Sequence, residues 1–561
     1  MKLGDMNQAA PEEPAQSAPA SNGSNASGAP EAIAEPSIRL GAWSFYFLAK
    51  ILLYWRELIG FHPLENIAFA AFLLMPVRSR TGRWLRNAAA VPLALTLLYY
   101  DSWLPPIDRV LSQATLLSNF SFGYLLELSG RFISWPVVAM LVIGWVGYRI
   151  AARYLRTGVA VMAALLALAI SSSRDEVNIA SAPAASGREE PARQAAGAGS
   201  GNLDAMVQEF YAGEAQRIVH FAKADQGAPF DIIFLHVCSL SWDDLRAVGL
   251  DSHPIWNSFD FMFRQFNSAA SYSGPAAIRI NRATCGQTPH KSLYTPAADS
   301  CYLMPSLKQA GFETNIALNH DGHFDDFLTE IRKQGVNAPL MPLNGVAVPQ
   351  RGFDNSPIYD DYGVLSRWLE TRQKTDAERV ALFYNTISLH DGNKIVSGPD
   401  SKLNSFASYK PRVEKLLNDI NGFMEQIRKS GRRAIVVVVP EHGAALRGDK
   451  FQIAGLREIP TPLVTTVPVG VKVIGPDAVR TGSSAQIMEP ASYVSLSQMI
   501  AQMIAKSPYG EAGFSPADYT ESMTPTEFVA ENEGMVMVRR DNRFYLKQGS
   551  DGWKEYVNPA N

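Results

Sequence analysis

The chain has 561 residues, too many for one ordinary hydrophobic core, so two or more units are expected. Its net charge of −3 gives no bulk attraction to nucleic acid, and no nucleic-acid motif occurs. Apolar residues crowd into positions 43–172, whereas the remainder has the composition of a globular domain.

Residues 1–38 are rich in Ala, Pro, Ser, Glu and Asn, and read as a disordered tail without the basic start and short apolar core of a signal peptide. Five apolar segments follow, at 41–60, 63–77, 87–104, 132–149 and 157–173, each near the length that spans a bilayer as helix. They predict a transmembrane helical bundle over 39–173. Arg78, Arg80, Arg83 and Arg86, and then Arg149, Arg153 and Arg156, place two of the loops in the cytoplasm. An odd number of spans then puts everything after residue 173 on the other side. A flexible linker over 174–203 leads to a domain over 204–561.

All three cysteines lie in that last domain. Cys285 and Cys301, separated by a short loop-like stretch, read as a disulfide, the alternative being two buried thiols. Cys238 is left without a partner. It ends the apolar run Phe230-Asp-Ile-Ile-Phe-Leu-His-Val-Cys238, which predicts a buried strand. Further strands are expected at 314–317, 380–384 and 467–474, with helices at 359–372 and 410–430. The alternation argues for an α/β domain, a mostly parallel sheet covered by helices on both faces. Short strands of unassigned purpose are expected over 535–557.

The run Ala434-Ile-Val-Val-Val-Val-Pro-Glu441-His442-Gly443 predicts another strand covered on both faces. Ligands collect beyond the carboxyl ends of such strands, so Glu441 and His442 stand where a metal would be expected; the alternative is a helix start. Between these strands, Ser-Tyr272-Ser273-Gly-Pro-Ala-Ala-Ile-Arg reads as a turn feeding a helix N-terminus, where anions bind, although a mere helix cap is the commoner role for such a serine. Cys238, Glu441 and His442 would supply sulfur, oxygen and nitrogen donors, the pattern of a catalytic zinc site with one position left for a nucleophile. A Ser273 hydroxyl there would be activated, because zinc lowers the pKa of a bound oxygen acid. His236 and Trp242, near Cys238, read as packing.

Together, Cys238-Ser-Leu-Ser-Trp, Ser-Tyr272-Ser273-Gly-Pro-Ala-Ala-Ile-Arg, Leu-His390-Asp-Gly-Asn and Val-Pro-Glu441-His442-Gly-Ala-Ala-Leu-Arg-Gly-Asp closely resemble the cellulose phosphoethanolamine transferases of bacterial cellulose secretion systems. The resemblance implies an inner-membrane helical domain, a periplasmic domain of the alkaline phosphatase superfamily, and transfer of phosphoethanolamine from phosphatidylethanolamine to glucose 6-hydroxyls of cellulose, with the cellulose synthase complex as partner. It implies Ser273 as zinc-bound nucleophile with Cys238, Glu441 and His442 as the other ligands. It also implies Tyr272, His390 and Arg457 as residues lining the site. Arg457 suits phosphoryl oxygens, His390 proton transfer, and Tyr272 donation to a non-bridging oxygen. As bare residues, Arg457 reads as a solvated or paired loop arginine and Tyr272 as packing.

Lipid-A-type transferases generally carry a carboxylate where Cys238 stands, Thr where Ser273 stands and Asp where Glu441 stands; these swaps match the cellulose-modifying branch. Two-metal relatives use a late His, and no His follows His442 here, so one zinc is expected. The alternatives are a zinc-dependent phosphatase or sulfatase-like hydrolase, or phosphoethanolamine or phosphoglycerol transfer to another envelope acceptor.

Overall fold

The computed structural model describes residues 40–56, 59–77, 79–102, 121–132, 135–155, 157–180, 195–224, 227–449, 451–549 and 552–557. The expected tail at 1–38 lies outside these, as do positions 181–194 of the expected linker.

Among the described residues, six helices come first: α1 (Trp43–Trp55), α2 (Pro63–Leu74), α3 (Arg80–Tyr100), α4 (Phe122–Phe132), α5 (Trp135–Ala151) and α6 (Thr157–Ala180). Phe47, Phe69, Leu73, Ala94 and Leu165 make a small core among them. The expectation of five membrane spans fails here, because among the described residues no helix is long and apolar enough to cross a membrane. The reasons differ. Helices α1 and α2 have 13 and 12 residues and α5 has 17, below the roughly 20 that a bilayer requires. Helix α3 is longer but opens with Arg80, Arg83 and Arg86, and the apolar part of α6 stops at Ile170, before three serines, Arg174, Asp175 and Glu176. The multi-pass inner-membrane placement is therefore overturned, and with it the argument from loop arginines for a periplasmic domain.

The α/β region is built on seven strands, β1 (Asp231–Val237), β2 (Phe261–Asn267), β3 (Glu313–Leu318), β4 (Val380–Thr386), β5 (Ala434–Pro440), β6 (Thr466–Ile474) and β7 (Ala485–Ile487), in the order β7-β2-β6-β5-β1-β4-β3. Strands β5, β1, β4 and β3 are parallel, as alternating strands and helices predict. Strand β6 runs antiparallel to both β5 and β2, which makes the sheet mixed rather than purely parallel. Strand β2 was not expected. Arg264 and Gln265 interrupt its apolar run, and the structure puts both at a bulge between Phe263 and Phe266 where they reach the surface.

The strand runs are continuous because both faces are covered. Ile232 and Phe234 of β1 join one core with Ala277, Met304 and Met499, while Ile233 and Leu235 join the other with Trp368, Leu416 and Phe423. Helices α7 (Ala195–Glu214), α8 (Trp242–Val248), α9 (Ser273–Asn281), α10 (Asp361–Arg372), α11 (Tyr409–Lys429) and α12 (Tyr493–Ala505) complete the layers used below. Registers then decide where the site falls. Val237 pairs with Thr386 on one side and Pro440 on the other, so β1, β4 and β5 end level with one another. The residues that follow all three strands emerge at one crevice.

The expected C-terminal strands form a separate antiparallel sheet, β8 (Val529–Asn532), β9 (Met535–Arg540), β10 (Arg543–Gln548) and β11 (Lys554–Tyr556). It backs the site. Phe528, Met537 and Tyr556 pack on Ile459, and Asn532 Nδ2 donates to the Glu458 carbonyl at 3.0 Å, which supports the segment carrying Arg457.

Candidate metal centre and transfer site

Backbone bonds bind the strand ends together. The Cys238 N–H donates to the Thr386 carbonyl (2.9 Å), the Glu441 N–H to Val237 (2.8 Å) and the Leu240 N–H to His442 (2.7 Å). Between the first and last of these, Ser239 is held at φ 60°, a left-handed conformation that a non-glycine residue adopts only when its surroundings impose it. After β5 the chain continues as a loop rather than the helix start that Glu441-His442-Gly443 also allowed. Asp244 fixes that loop. It caps α8 together with Ser241, and its carboxylate accepts the Ala444 N–H (2.7 Å) and the Leu446 N–H (3.2 Å). A side chain at Gly443 would place its Cβ 2.6 Å from Ser241 Oγ and 2.7 Å from Asp244 Oδ2, so only glycine fits.

Ser273 is the first residue of α9, with extended Tyr272 before it as the cap. The anticipated turn into a helix N-terminus is present, and Ser273 is not itself the cap. Its Oγ lies 3.4 Å from Cys238 Sγ and 3.3 Å from His442 Nε2; His442 Nε2 lies 3.6 Å from Glu441 Oε2. Bonds of about 2.0–2.1 Å to N or O and about 2.3 Å to S, arranged tetrahedrally, require donor separations of about 3.3–3.6 Å. These three separations match one zinc, and the donor atoms of Cys238, Glu441 and His442 all lie within 4.8 Å of one another. Two further observations agree. Glu441 Oε2 is buried with no hydrogen-bond partner among the described residues. The His442 Nδ1–H donates to the Gly443 carbonyl at 2.8 Å, which leaves the Nε2 lone pair facing the other donors.

Without a cation this cluster is electrostatically costly. Burial pushes the Cys238 thiol and the Glu441 carboxyl up, each opposing ionisation, and burial with the Arg457 charge pushes His442 far down. A bound dication reverses the first two penalties, and neutral histidine is the form that ligates.

A second layer holds Glu441. Asn385, near the end of β4, donates from Nδ2 to Glu441 Oε1 at 2.6 Å. His320 fixes the amide's orientation: the Gly322 N–H donates to His320 Nδ1 (3.1 Å), so the ring carries its proton on Nε2 and donates to Asn385 Oδ1 (2.9 Å). His236 Nδ1 lies 3.3 Å from Glu441 Oε1, and burial lowers its pKa to about 3. It is thus nearer the cluster than a packing role suggests, whereas Trp242 does pack, against Trp256.

The three remaining expected residues are Arg457, Tyr272 and His390. Arg457 is buried, donates to Ser239 Oγ (3.2 Å) and lies over the Tyr272 ring at 5.5 Å. The Tyr272 hydroxyl donates to Glu458 Oε1 at 2.7 Å, turned toward that carboxylate. His390 packs against Phe353 with its ring tilted (5.3 Å), and its Nδ1–H donates to the Asp391 carbonyl (2.7 Å), which leaves Nε2 as the basic nitrogen. Burial first, then the Arg457 charge, lower its pKa to about 4. Cys285 and Cys301 are joined as a disulfide, with Cα atoms 4.9 Å apart, and Cys238 is free and buried.

Sequence reasoning missed Ser239, Asn385, His320 and Glu458. Ser239 and Glu458 adjoin residues that were singled out, and adjacency was their only signal. Asn385 and His320 carry no motif, and only strand registers bring them to Glu441.

Comparison with known proteins gives a consistent picture. The family model "Cellulose biosynthesis protein BcsG C-terminal domain" matches residues 187–553, and the corresponding N-terminal domain model matches 43–170. The chain is 38% identical over 543 residues to the cellulose biosynthesis protein BcsG of Escherichia coli K12 and 37% identical over 542 residues to that of Salmonella typhimurium LT2, covering 92% of this chain and 96% of each relative. Among solved structures, the C-terminal periplasmic domain of Escherichia coli EptC in complex with Zn superimposes with a TM-score of 0.40 and 14% identity, covering 56% of this chain and 94% of that one. Matched in both halves by the domain models and nearly end to end by these relatives, the chain belongs to the cellulose biosynthesis protein BcsG family.

Proposed function

We propose that this chain is a zinc-dependent transferase that moves phosphoethanolamine from phosphatidylethanolamine to the glucose 6-hydroxyls of cellulose, through a phosphoethanolamine ester on Ser273. The observation that carries this is the clustering of the Cys238, Glu441 and His442 donor atoms within 4.8 Å of one another, with the Ser273 hydroxyl 3.4 Å from the Cys238 sulfur and 3.3 Å from His442 Nε2. Membership in a cellulose biosynthesis family supports the acceptor. The cellulose synthase complex that delivers the glucan is the expected partner.

Cys238, Ser273, Glu441 and His442 would hold the zinc, which when bound supplies a Lewis acid for phosphoryl charge and lowers the pKa of the serine hydroxyl. In the first step the Ser273 hydroxyl gives up its proton to solvent, its Oγ forms a bond to phosphorus, and the bond to the diacylglycerol oxygen breaks. His390 donates a proton to that leaving oxygen. In the second step the glucose 6-hydroxyl loses its proton to His390 Nε2 and attacks phosphorus, and the Ser273 ester bond breaks, Oγ taking back a proton from solvent. The neutral His390 is suited to the second step as it stands; for the first it must take up a proton, which an anionic phosphodiester beside it promotes. Arg457, which donates to Ser239 Oγ, would hold phosphoryl oxygens. Tyr272 reaches them once its hydroxyl leaves Glu458.

Mass spectrometry of the zinc-loaded chain incubated with phosphatidylethanolamine tests the reading. A phosphoethanolamine increment on the Ser273 peptide, discharged by added glucan, is expected. Steady release of free ethanolamine phosphate with no modified glucan would instead identify a hydrolase.

A further inference from the structure

The loop that carries His390 is held partly by a helix far away in sequence. Helix α4 lies across residues 390–393. The Ser121 N–H, just before it, donates to the Phe353 carbonyl at 2.9 Å. The Tyr124 hydroxyl donates to Asp391 Oδ2 at 3.0 Å, and Glu127 Oε1 accepts the Ser405 N–H at 3.2 Å. Ser405 closes the circuit, because its hydroxyl donates to Asp391 Oδ1 at 2.7 Å. Asp391 in turn presents the backbone carbonyl that fixes the His390 ring. Ring packing runs the same way: Phe353 stands between Tyr124 (6.1 Å) and His390 (5.3 Å). At Gly392, φ is +81° and an added Cβ would lie 2.5 Å from Phe353 Cβ and 2.9 Å from the Tyr124 ring, so helix and loop meet with no room between them.

From the α/β side, Arg412 of α11 grips the same loop, donating to the carbonyls of Ser388 (2.9 Å), His390 (3.0 Å) and Ser405 (2.9 Å). All of the partners on this side belong to the domain that bears the zinc donors. Those across the loop belong to α4. Neither set touches the donor cluster by any of these bonds.

We propose that Tyr124 and Glu127 are positioning residues for His390, so that the N-terminal helices complete the proton-transfer wall of a site whose metal-donor wall is complete without them. This rests on the reading of His390 as the acid and base of the transfer. Orientation of a catalytic group matters at the scale of these contacts, since a displacement of about 1 Å can cost about a hundredfold in rate.

The test uses the full chain loaded with zinc. Tyr124→Phe and Glu127→Gln are expected to lower kcat for transfer about ten- to a hundredfold with KM little changed. They should also shift the pH limb of the rate that His390→Gln removes, and speed amide exchange at residues 390–393. Zinc content should stay at the wild-type value, and Glu127→Asp should retain more activity than Glu127→Ala. A purely structural role would lower the melting temperature without moving the pH limb. Wild-type kcat and pH profile in both variants, with His390→Gln inactive, would sink the positioning role alone. His390→Gln turning over at the wild-type rate would sink the acid/base reading itself.

Discussion

Two walls of the candidate site are built by different means. On the donor wall, Cys238, Glu441 and His442 follow β1 and β5 directly, and backbone bonds between neighbouring strand ends set their positions. The wall bearing His390 is a loop beyond β4, held by side chains of Arg412, Phe353, Tyr124 and Glu127. Sheet-anchored groups inherit the rigidity of the whole core, whereas loop-anchored groups depend on a few separable contacts. Damage to the first wall should therefore be all-or-none, and damage to the second graded.

The largest expected effect breaks the donor wall. Glu441→Ala or Cys238→Ala should abolish zinc binding and reduce transfer by several kcal/mol of barrier, about a thousandfold or more, with the α/β domain still folded. Metal analysis, circular dichroism and a transfer assay check this together. Retention of stoichiometric zinc by either variant would mean that the cluster is not the metal site.

A smaller effect sharpens the comparison from behind. Asn385→Ala removes the donor to Glu441 Oε1 but no ligand, and outer partners of this kind typically contribute about ten- to a hundredfold in metal affinity. Competition with a zinc chelator measures it. The same titration on Tyr124→Phe should give the wild-type affinity, since its hydroxyl bonds to Asp391 in the other wall.

The two walls also differ in how far the amino-acid sequence reveals them. Strands β1 and β5 are continuous apolar runs ending in polar residues, so patterning alone puts Cys238, Glu441 and His442 at strand ends. Ser273 is legible as the start of a helix from Gly274 and Pro275 beside it. That these ends lie level is a matter of register, which local patterning does not encode. His390 is legible as a histidine after a strand, suited to proton transfer, but its place in the site came from resemblance, and the contacts of α4 with its loop span more than 260 residues. Strand β2 was hidden because Arg264 and Gln265 sit at its bulge. The N-terminal segments misled for the opposite reason: their apolar composition is real, but among the described residues the helices they form are too short or too charged to span a bilayer.

Gly443→Ala tests how tightly the donor wall is sewn to α8. The added Cβ meets Ser241 and Asp244, both buried and both engaged in the cap, so neither can yield cheaply. A loss of about 1–3 kcal/mol in urea unfolding is expected. No loss would show that the loop after β5 can shift, and the donor wall would then be no stiffer than its counterpart.

The smallest effect separates the walls by proton uptake in the metal-free chain. Burial lowers the pKa of His320 behind the donors, and His390 in the loop is held at about 4, both against an ordinary value of 6.5. A histidine depressed in the folded state leaves the unfolded chain binding more protons below pH 6.5, so stability falls as pH drops from 6.5 toward the folded value. Each contributes up to about 1.4 kcal/mol per pH unit. Asp244, raised by burial to about 6, works in the opposite sense between pH 6 and 3.8, so only differences between variants are informative. His320→Gln should remove about one proton from the slope, because that ring is reached only when the core opens. His390→Gln should remove less, because its loop can open locally and admit the proton while the sheet stays folded. Equal changes in slope would show that the loop opens only with global unfolding, and the two walls would then be one cooperative unit.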